Sequence, residues 1–128
     1  MRLKILHNPR CSKSRQTLSI LKDNSVDVEI IEYLKETPTR ETIEEIIQLL
    51  NINPGDLLRK GEAVYKEKNL SKDDLSDDEI ITLMLENPIL IERPIVFDNN
   101  LAIIGRPPEN VMIFLKWIIL SKPKIKGK

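Results

Sequence analysis

The apolar residues of this chain fall into short blocks, and the spacing inside each block predicts an element. Leu3 to Leu6 is a compact apolar run that stops at His7-Asn8-Pro9, where proline ends any strand. Beyond Cys11 the pattern turns polar and helical, with Leu18 and Leu21 one turn apart and Lys22-Asp23-Asn24-Ser25 closing it. Val26, Val28 and Ile30 then alternate with Asp27, Glu29 and Ile31, as in a strand with one well-covered face. Strand, helix and strand in this order predict two parallel strands joined by a right-handed crossover.

The middle of the chain reads as helical. Thr39 is a suitable N-cap, Glu41, Glu44 and Glu45 sit near the positive helix end, and Ile43, Ile46, Ile47 and Leu50 keep the spacing of one buried face. Asn53-Pro54-Gly55 breaks that helix, and residues 56–69 read as short helical pieces. Ser76-Asp77-Asp78-Glu79 is a capping box, after which Ile80, Leu83 and Met84 form a buried stripe that ends before Pro88. Ile95-Val96-Phe97 and Leu101-Ala102-Ile103-Ile104 flank Asp98-Asn99-Asn100, residues that tolerate positive φ, which predicts a β-hairpin. A last helix opens near Pro107-Pro108 and runs through Val111, Phe114, Leu115 and Ile118; Met112, Phe114 and Trp117 read as packing residues. The order β-α-β, helical block, β-β-α predicts an α/β fold: a thioredoxin-like mixed four-stranded sheet with a central helical insert. Residues 1–120 form a single domain on this reading, and 121–128, with four lysines and one apolar residue, form a basic C-terminal tail.

Composition narrows the function classes. A chain of 128 residues has room for one compact domain, and 41% hydrophobic with 31% charged residues is the balance of a soluble globular protein. Twenty basic residues offset twenty acidic ones, so no overall field draws in nucleic acid or an anionic membrane. The first residues carry no apolar run of signal-peptide length, and the longest apolar stretch, 111–120, is interrupted by Lys116 and too short to span a bilayer. These features predict a cytoplasmic protein with neither a nucleic-acid nor a membrane partner. A single cysteine excludes an internal disulfide and every metal site built from several cysteines.

That cysteine carries the candidate chemistry. Cys11 lies at the expected start of a helix, whose free amide hydrogens favour a thiolate. Arg10, Lys13 and Arg15 add positive charge nearby, and only a thiolate is a competent nucleophile. A lone cytosolic cysteine is commonly a small buried hydrophobe, but dense basic and hydroxyl neighbours fit that reading poorly. A thioredoxin-type pair would need cysteine at position 14, which is Ser14, and a phosphatase loop would need arginine at position 17, which is Thr17. Any disulfide or adduct on Cys11 therefore needs a thiol from another molecule, such as glutathione or a small thiol oxidoreductase. Arg59, Arg93 and Arg106 stand at loops or element ends, and their planar forks suit a tetrahedral oxyanion. Taken singly, each reads as a solvated charge; apolar or prolyl neighbours place them beside the core. Pro94 follows Arg93 where a cis bond would shape the wall of a site. His7, the one histidine, reads equally as an electrostatic partner of Cys11 and as a hydrogen-bonded structural residue.

Together these segments resemble the glutaredoxin-coupled arsenate reductase family, ArsC. The matching pieces are His-Asn-Pro-x-Cys at 7–11, Ser14-Arg15, Tyr33-Leu34, Leu57-Leu58-Arg59-Lys60, Asn87-Pro88-Ile89-Leu90-Ile91-x-Arg93-Pro94-Ile95-Val96, and Arg106-Pro107. The resemblance implies the same thioredoxin-like fold and a covalent arsenic adduct on Cys11. It implies that Arg59, Arg93 and Arg106 bind the oxyanion and that His7 and Ser14 help keep the cysteine ionised. It implies glutathione as a cosubstrate, glutaredoxin as the reductant, and no bound cofactor or metal. Where the family's resistance-operon enzymes carry Gly-Thr after the cysteine, this chain has Ser12-Lys13, and Cys-Ser-Lys-Ser-Arg resembles a related branch.

Two other readings share these residues. Spx-type regulators have this fold and bind RNA polymerase, but many carry a Cys-x-x-Cys switch that Ser14 excludes here, and all three arginines favour an enzyme. A glutathione-dependent thiol reductase acting on another substrate would use the same cysteine.

Overall fold

A computed structural model describes residues 3–70 and 75–121. Strand β1 (Leu3–Leu6), helix α1 (Ser12–Asp23) and strand β2 (Val28–Ile31) form the opening β-α-β unit. The insert holds α2 (Arg40–Leu50), a 3-10 turn at Pro54–Leu57, α3 (Ala63–Glu67), α4 (Asp77–Glu86) and a second 3-10 turn at Pro88–Leu90. Strands β3 (Ile95–Phe97) and β4 (Ala102–Ile104) and helix α5 (Asn110–Ser121) complete the chain. Apart from Ser121, the basic tail lies outside the described residues.

The sheet order is β2-β1-β3-β4, with β1 parallel to β2 and antiparallel to β3, and β3 antiparallel to β4. This is the expected mixed four-stranded sheet. Side-chain alternation along β1 splits the core into two. Leu3 and Ile5 join Leu21 of α1 and Val111, Phe114 and Leu115 of α5, whereas Leu6 joins Tyr33 and the insert residues Ile43, Ile46, Leu57 and Met84. The insert thus covers one sheet face while α1 and α5 cover the other.

Local signals in the insert act as the sequence predicts. Thr39 Oγ1 accepts a hydrogen bond from the Thr42 amide at 3.1 Å, a cap whose loss typically costs about 1 kcal/mol. Ser76 and Glu79 close their capping box reciprocally, and Asn51 ends α2 in the left-handed region at φ 56°.

Four expectations need correction. Ile30 is 39% exposed because β2 is the sheet's edge, so the alternating face of 26–30 is covered only toward its start. In α4 the buried positions are Ile81 and Met84, with Ile80 and Leu83 half-buried, so the stripe is rotated by one residue. The hairpin turn uses no positive φ; the Asp98 carboxylate instead accepts from the amides of Asn100 at 2.7 Å and Leu101 at 2.8 Å. On α5, Phe114 packs as expected, but Met112 and Trp117 are 45% and 54% exposed.

Two chain crossings place the arginines. The segments around Leu58 and Ile91 form an antiparallel bridge, with the Arg59 amide donating to Leu90 O at 2.7 Å and the Glu92 amide to Leu57 O at 2.8 Å. The bridge holds the two segments together, and the Arg59 and Arg93 side chains meet at Glu62. Gly105, just past β4, packs against α1: a Cβ there would meet Thr17 Oγ1 at 2.5 Å and Pro94 Cγ at 2.8 Å. Only a residue without Cβ lets the chain approach so closely, and the next residue is Arg106. The Arg93-Pro94 bond is cis, as is Arg106-Pro107.

Candidate active site

Cys11 is the N-cap residue of α1. Its partly exposed sulfur makes no capping hydrogen bond, yet the amides of Ser14 and Lys13 face it from the helix end. Burial is the largest single influence on this thiol and opposes ionisation. The Ser14 amide, the Arg93 guanidinium and the Lys13 amide together outweigh it, so the thiol pKa lies below its ordinary value. Arg106 Nη2 is 3.6 Å from the sulfur. The sequence credited Arg10, Lys13 and Arg15 with the nearby positive charge, but all three are exposed. Arg15 Nη1 is turned to the Pro9 carbonyl at 2.9 Å, and Lys13 acts through its backbone. The charges at the sulfur come instead from residues 93 and 106, far along the chain.

His7 and Ser14 lie beneath the cysteine, at 6% and 0% exposure. Ser14 Oγ accepts from the Asn8 amide at 3.0 Å and is hydrogen-bonded to His7 Nδ1 at 2.6 Å. Burial, ahead of the opposing charge of Glu32, pushes the His7 pKa below its ordinary value, which leaves the imidazole neutral near pH 7. His7 therefore works by hydrogen bonding: with Ser14 it pins the turn that carries Cys11.

The three arginines converge, interleaved with two carboxylates. Glu62 Oε2 accepts from Arg59 Nε at 3.0 Å and faces Arg93 Nη1 at 3.4 Å. Glu92 Oε1 takes Arg59 Nη1 at 2.5 Å, Arg106 Nε at 3.0 Å and the Arg93 amide at 3.1 Å. Arg106 Nε is also 2.7 Å from the Arg93 carbonyl oxygen. Cys11, Arg93 and Arg106 are in direct interaction, and Arg59 joins them through the glutamates.

The sequence assigns no role to Glu62 or Glu92, and Tyr33 enters only as part of the Tyr33-Leu34 motif. A carboxylate three residues after Arg59 and another beside Arg93 were the available signals for the glutamates. Tyr33 is fully buried, and its hydroxyl and Arg93 Nε are both buried without a hydrogen-bond partner. Desolvation dominates the phenol and pushes its pKa up to about 12, although Arg93 and Arg59 pull the other way. Among the described residues no cluster of His, Cys, Asp or Glu could hold a metal ion, and no helix is long and apolar enough to cross a membrane.

The arrangement is a thioredoxin-like domain with a lone cysteine of lowered pKa under a row of arginines. The chain belongs to the ArsC family, which matches residues 6–114. It is 40% identical over 111 residues to the arsenate reductase of Escherichia coli K12, covering 87% of this chain and 79% of that protein. Identity to an arsenate reductase of Neisseria meningitidis is 37%, covering 85% of this chain and 94% of the relative. YfgD of Escherichia coli K12, described as an uncharacterized protein, is 47% identical over 111 residues, covering 86% and 93% of the two chains. The solved arsenate reductase of Vibrio cholerae superposes with a TM-score of 0.83 at 44% identity, covering 88% of this chain and 97% of that one.

Proposed function

We propose that this protein is an oxidoreductase that reduces arsenate, with Cys11 as the nucleophile. The observation that carries the reading is the geometry at the sulfur: an N-cap thiol with a lowered pKa under Arg93 and Arg106, with Arg59 one carboxylate away. Named arsenate reductases at 37–40% identity support the same chemistry.

In the first step the Cys11 thiolate attacks arsenic(V) of dihydrogen arsenate. A sulfur–arsenic bond forms, and one arsenate oxygen leaves as water after taking up a proton. Arsenic stays pentavalent, and the guanidinium forks hold the remaining oxygens of the adduct. A glutathione thiol then displaces a second oxygen as water and bonds to the same arsenic. The electrons arrive when a glutaredoxin thiolate attacks the glutathionyl sulfur: a disulfide forms, two electrons pass to arsenic, and arsenic(III) remains on Cys11. Water releases arsenite and returns the thiol. The chain's one cysteine supports this route, because no second thiol within it could take over the adduct. The protein itself holds no cofactor on this scheme; glutathione is consumed as a cosubstrate, in the cytoplasm where reduced thiols are maintained.

The test is NADPH-coupled arsenate reduction with glutathione, glutathione reductase and glutaredoxin, comparing wild type with Cys11→Ser. Turnover requiring arsenate, glutaredoxin and Cys11 is expected. Full activity in Cys11→Ser would end the proposal. No turnover by a wild-type protein whose Cys11 remains highly reactive would move the assignment to another substrate.

A further inference from the structure

The arginines around Cys11 share part of each fork with carboxylates. Arg59 spends both Nε and Nη1 on carboxylates, Arg93 has Nη1 facing Glu62, and Arg106 has Nε against Glu92. Three guanidinium charges thus meet two carboxylates and the Cys11 sulfur within a single contact network. The five charged side chains of the arginine–glutamate row are only 11–29% exposed, so solvent screens them weakly. An anion approaching Cys11 meets two fixed negative charges already bound to its intended partners. A site built only for tight capture of free oxyanions would leave those forks empty.

We propose that Glu62 and Glu92 are positioning residues that also set anion selectivity: they aim Arg59, Arg93 and Arg106 at the thiol while cancelling much of their charge, so that an oxyanion unable to bond to sulfur is held weakly. Inorganic phosphate, which has the shape and charge of arsenate but forms no stable bond to a thiolate, is the ligand such a site turns away. Arsenate gains the sulfur–arsenic bond and is retained. In naming arsenate as the retained anion, this inference rests on the proposed function; its central claim concerns phosphate.

Glutamine at either position keeps an oxygen acceptor for the arginine and removes the charge. The experiment measures protection of Cys11 from iodoacetamide by inorganic phosphate at fixed ionic strength, in wild type, Glu92→Gln and Glu62→Gln. In each folded variant phosphate should protect about tenfold more tightly than in wild type. A purely structural role predicts the opposite sign, since arginines that lose their support bind anions less well. Unchanged or weaker protection would overturn the proposal. Should Glu92→Gln fail to fold, judged by its thermal melt, Glu62→Gln decides by the same criterion. With arsenate as substrate, Glu92→Gln should lower KM without raising kcat. If wild type reduces no arsenate, the proposed function fails, while the phosphate comparison still decides the role of the glutamates.

Discussion

Arg106 Nη2 stands 3.6 Å from Cys11 Sγ, joining two residues 95 positions apart in sequence. The contact exists because Gly105 lets the chain after β4 pack on α1, and because Arg106 Nε is anchored to the Arg93 carbonyl at 2.7 Å. Helix α1 supplies the amides and the far end of the chain supplies the cation, and the thiol pKa is lowered where they meet.

That meeting point predicts how the thiol titrates. The pH profile of Cys11 alkylation should have its midpoint below that of an unperturbed thiol, and Arg93→Ala should move it upward. Arg93 is the first side chain among the influences that favour the thiolate, so its loss leaves burial less opposed. Alkylation rates with iodoacetamide across pH provide the check. A midpoint in Arg93→Ala equal to that of wild type would show that the helix amides and Arg106 suffice without Arg93.

Oxyanion binding should depend on the same arginines. Replacing Arg93 or Arg106 by Ala removes a charge-assisted donor and leaves Glu62 or Glu92 short of a partner. A loss of roughly 1.5–3 kcal/mol in arsenate binding is expected for each, read from kcat/KM in the coupled assay. Unchanged kinetics in both variants would remove the arginines from the site's chemistry.

Gly105 should tolerate no side chain. A methyl group there would lie 2.5 Å from Thr17 Oγ1 and 2.8 Å from Pro94 Cγ, and Thr17 is fully buried with its hydroxyl bonded to the Lys13 carbonyl oxygen at 2.9 Å. Gly105→Ala therefore forces α1 and the residue 94 loop apart. The expected cost is about 1–3 kcal/mol, typical of overpacking, measured by urea unfolding. Cys11 should also become less reactive, because Arg106 moves with residue 105. A variant as stable as wild type would mean that Thr17 can rotate away freely.

The fold was legible where signals are local. Thr39 and Ser76 announce helix starts, Pro9 ends β1, and the order of apolar blocks predicts the sheet. What was hidden depends on which neighbour arrives from elsewhere. Ile30 alternates like a covered residue, but among the described residues no strand flanks β2 on its outer side. Arg10, Lys13 and Arg15 are close to Cys11 in sequence yet exposed, with Arg15 turned to the Pro9 carbonyl, whereas Arg93 and Arg106 reach it through chain crossings that composition does not encode. Glu62 and Glu92 escaped notice for the same reason: an acid near an arginine is ordinary until two segments bridge and make it a shared counter-charge.

His7 predicts the acid side of the stability profile. Burial holds its folded-state pKa below the unfolded value of about 6.5. The unfolded chain therefore binds a proton at a pH where the folded one does not. This contribution to stability is complete above about pH 6.5 and is lost as pH falls toward the depressed folded value. Protonation would also make both ring nitrogens donors, one of them 2.6 Å from Ser14 Oγ. Urea unfolding at several pH values between 7.5 and 5 should show wild type losing stability faster than His7→Asn, since the variant lacks the titrating group while carboxylates contribute equally to both. Parallel curves would mean that His7 takes up its proton in the folded state as readily as in the unfolded one.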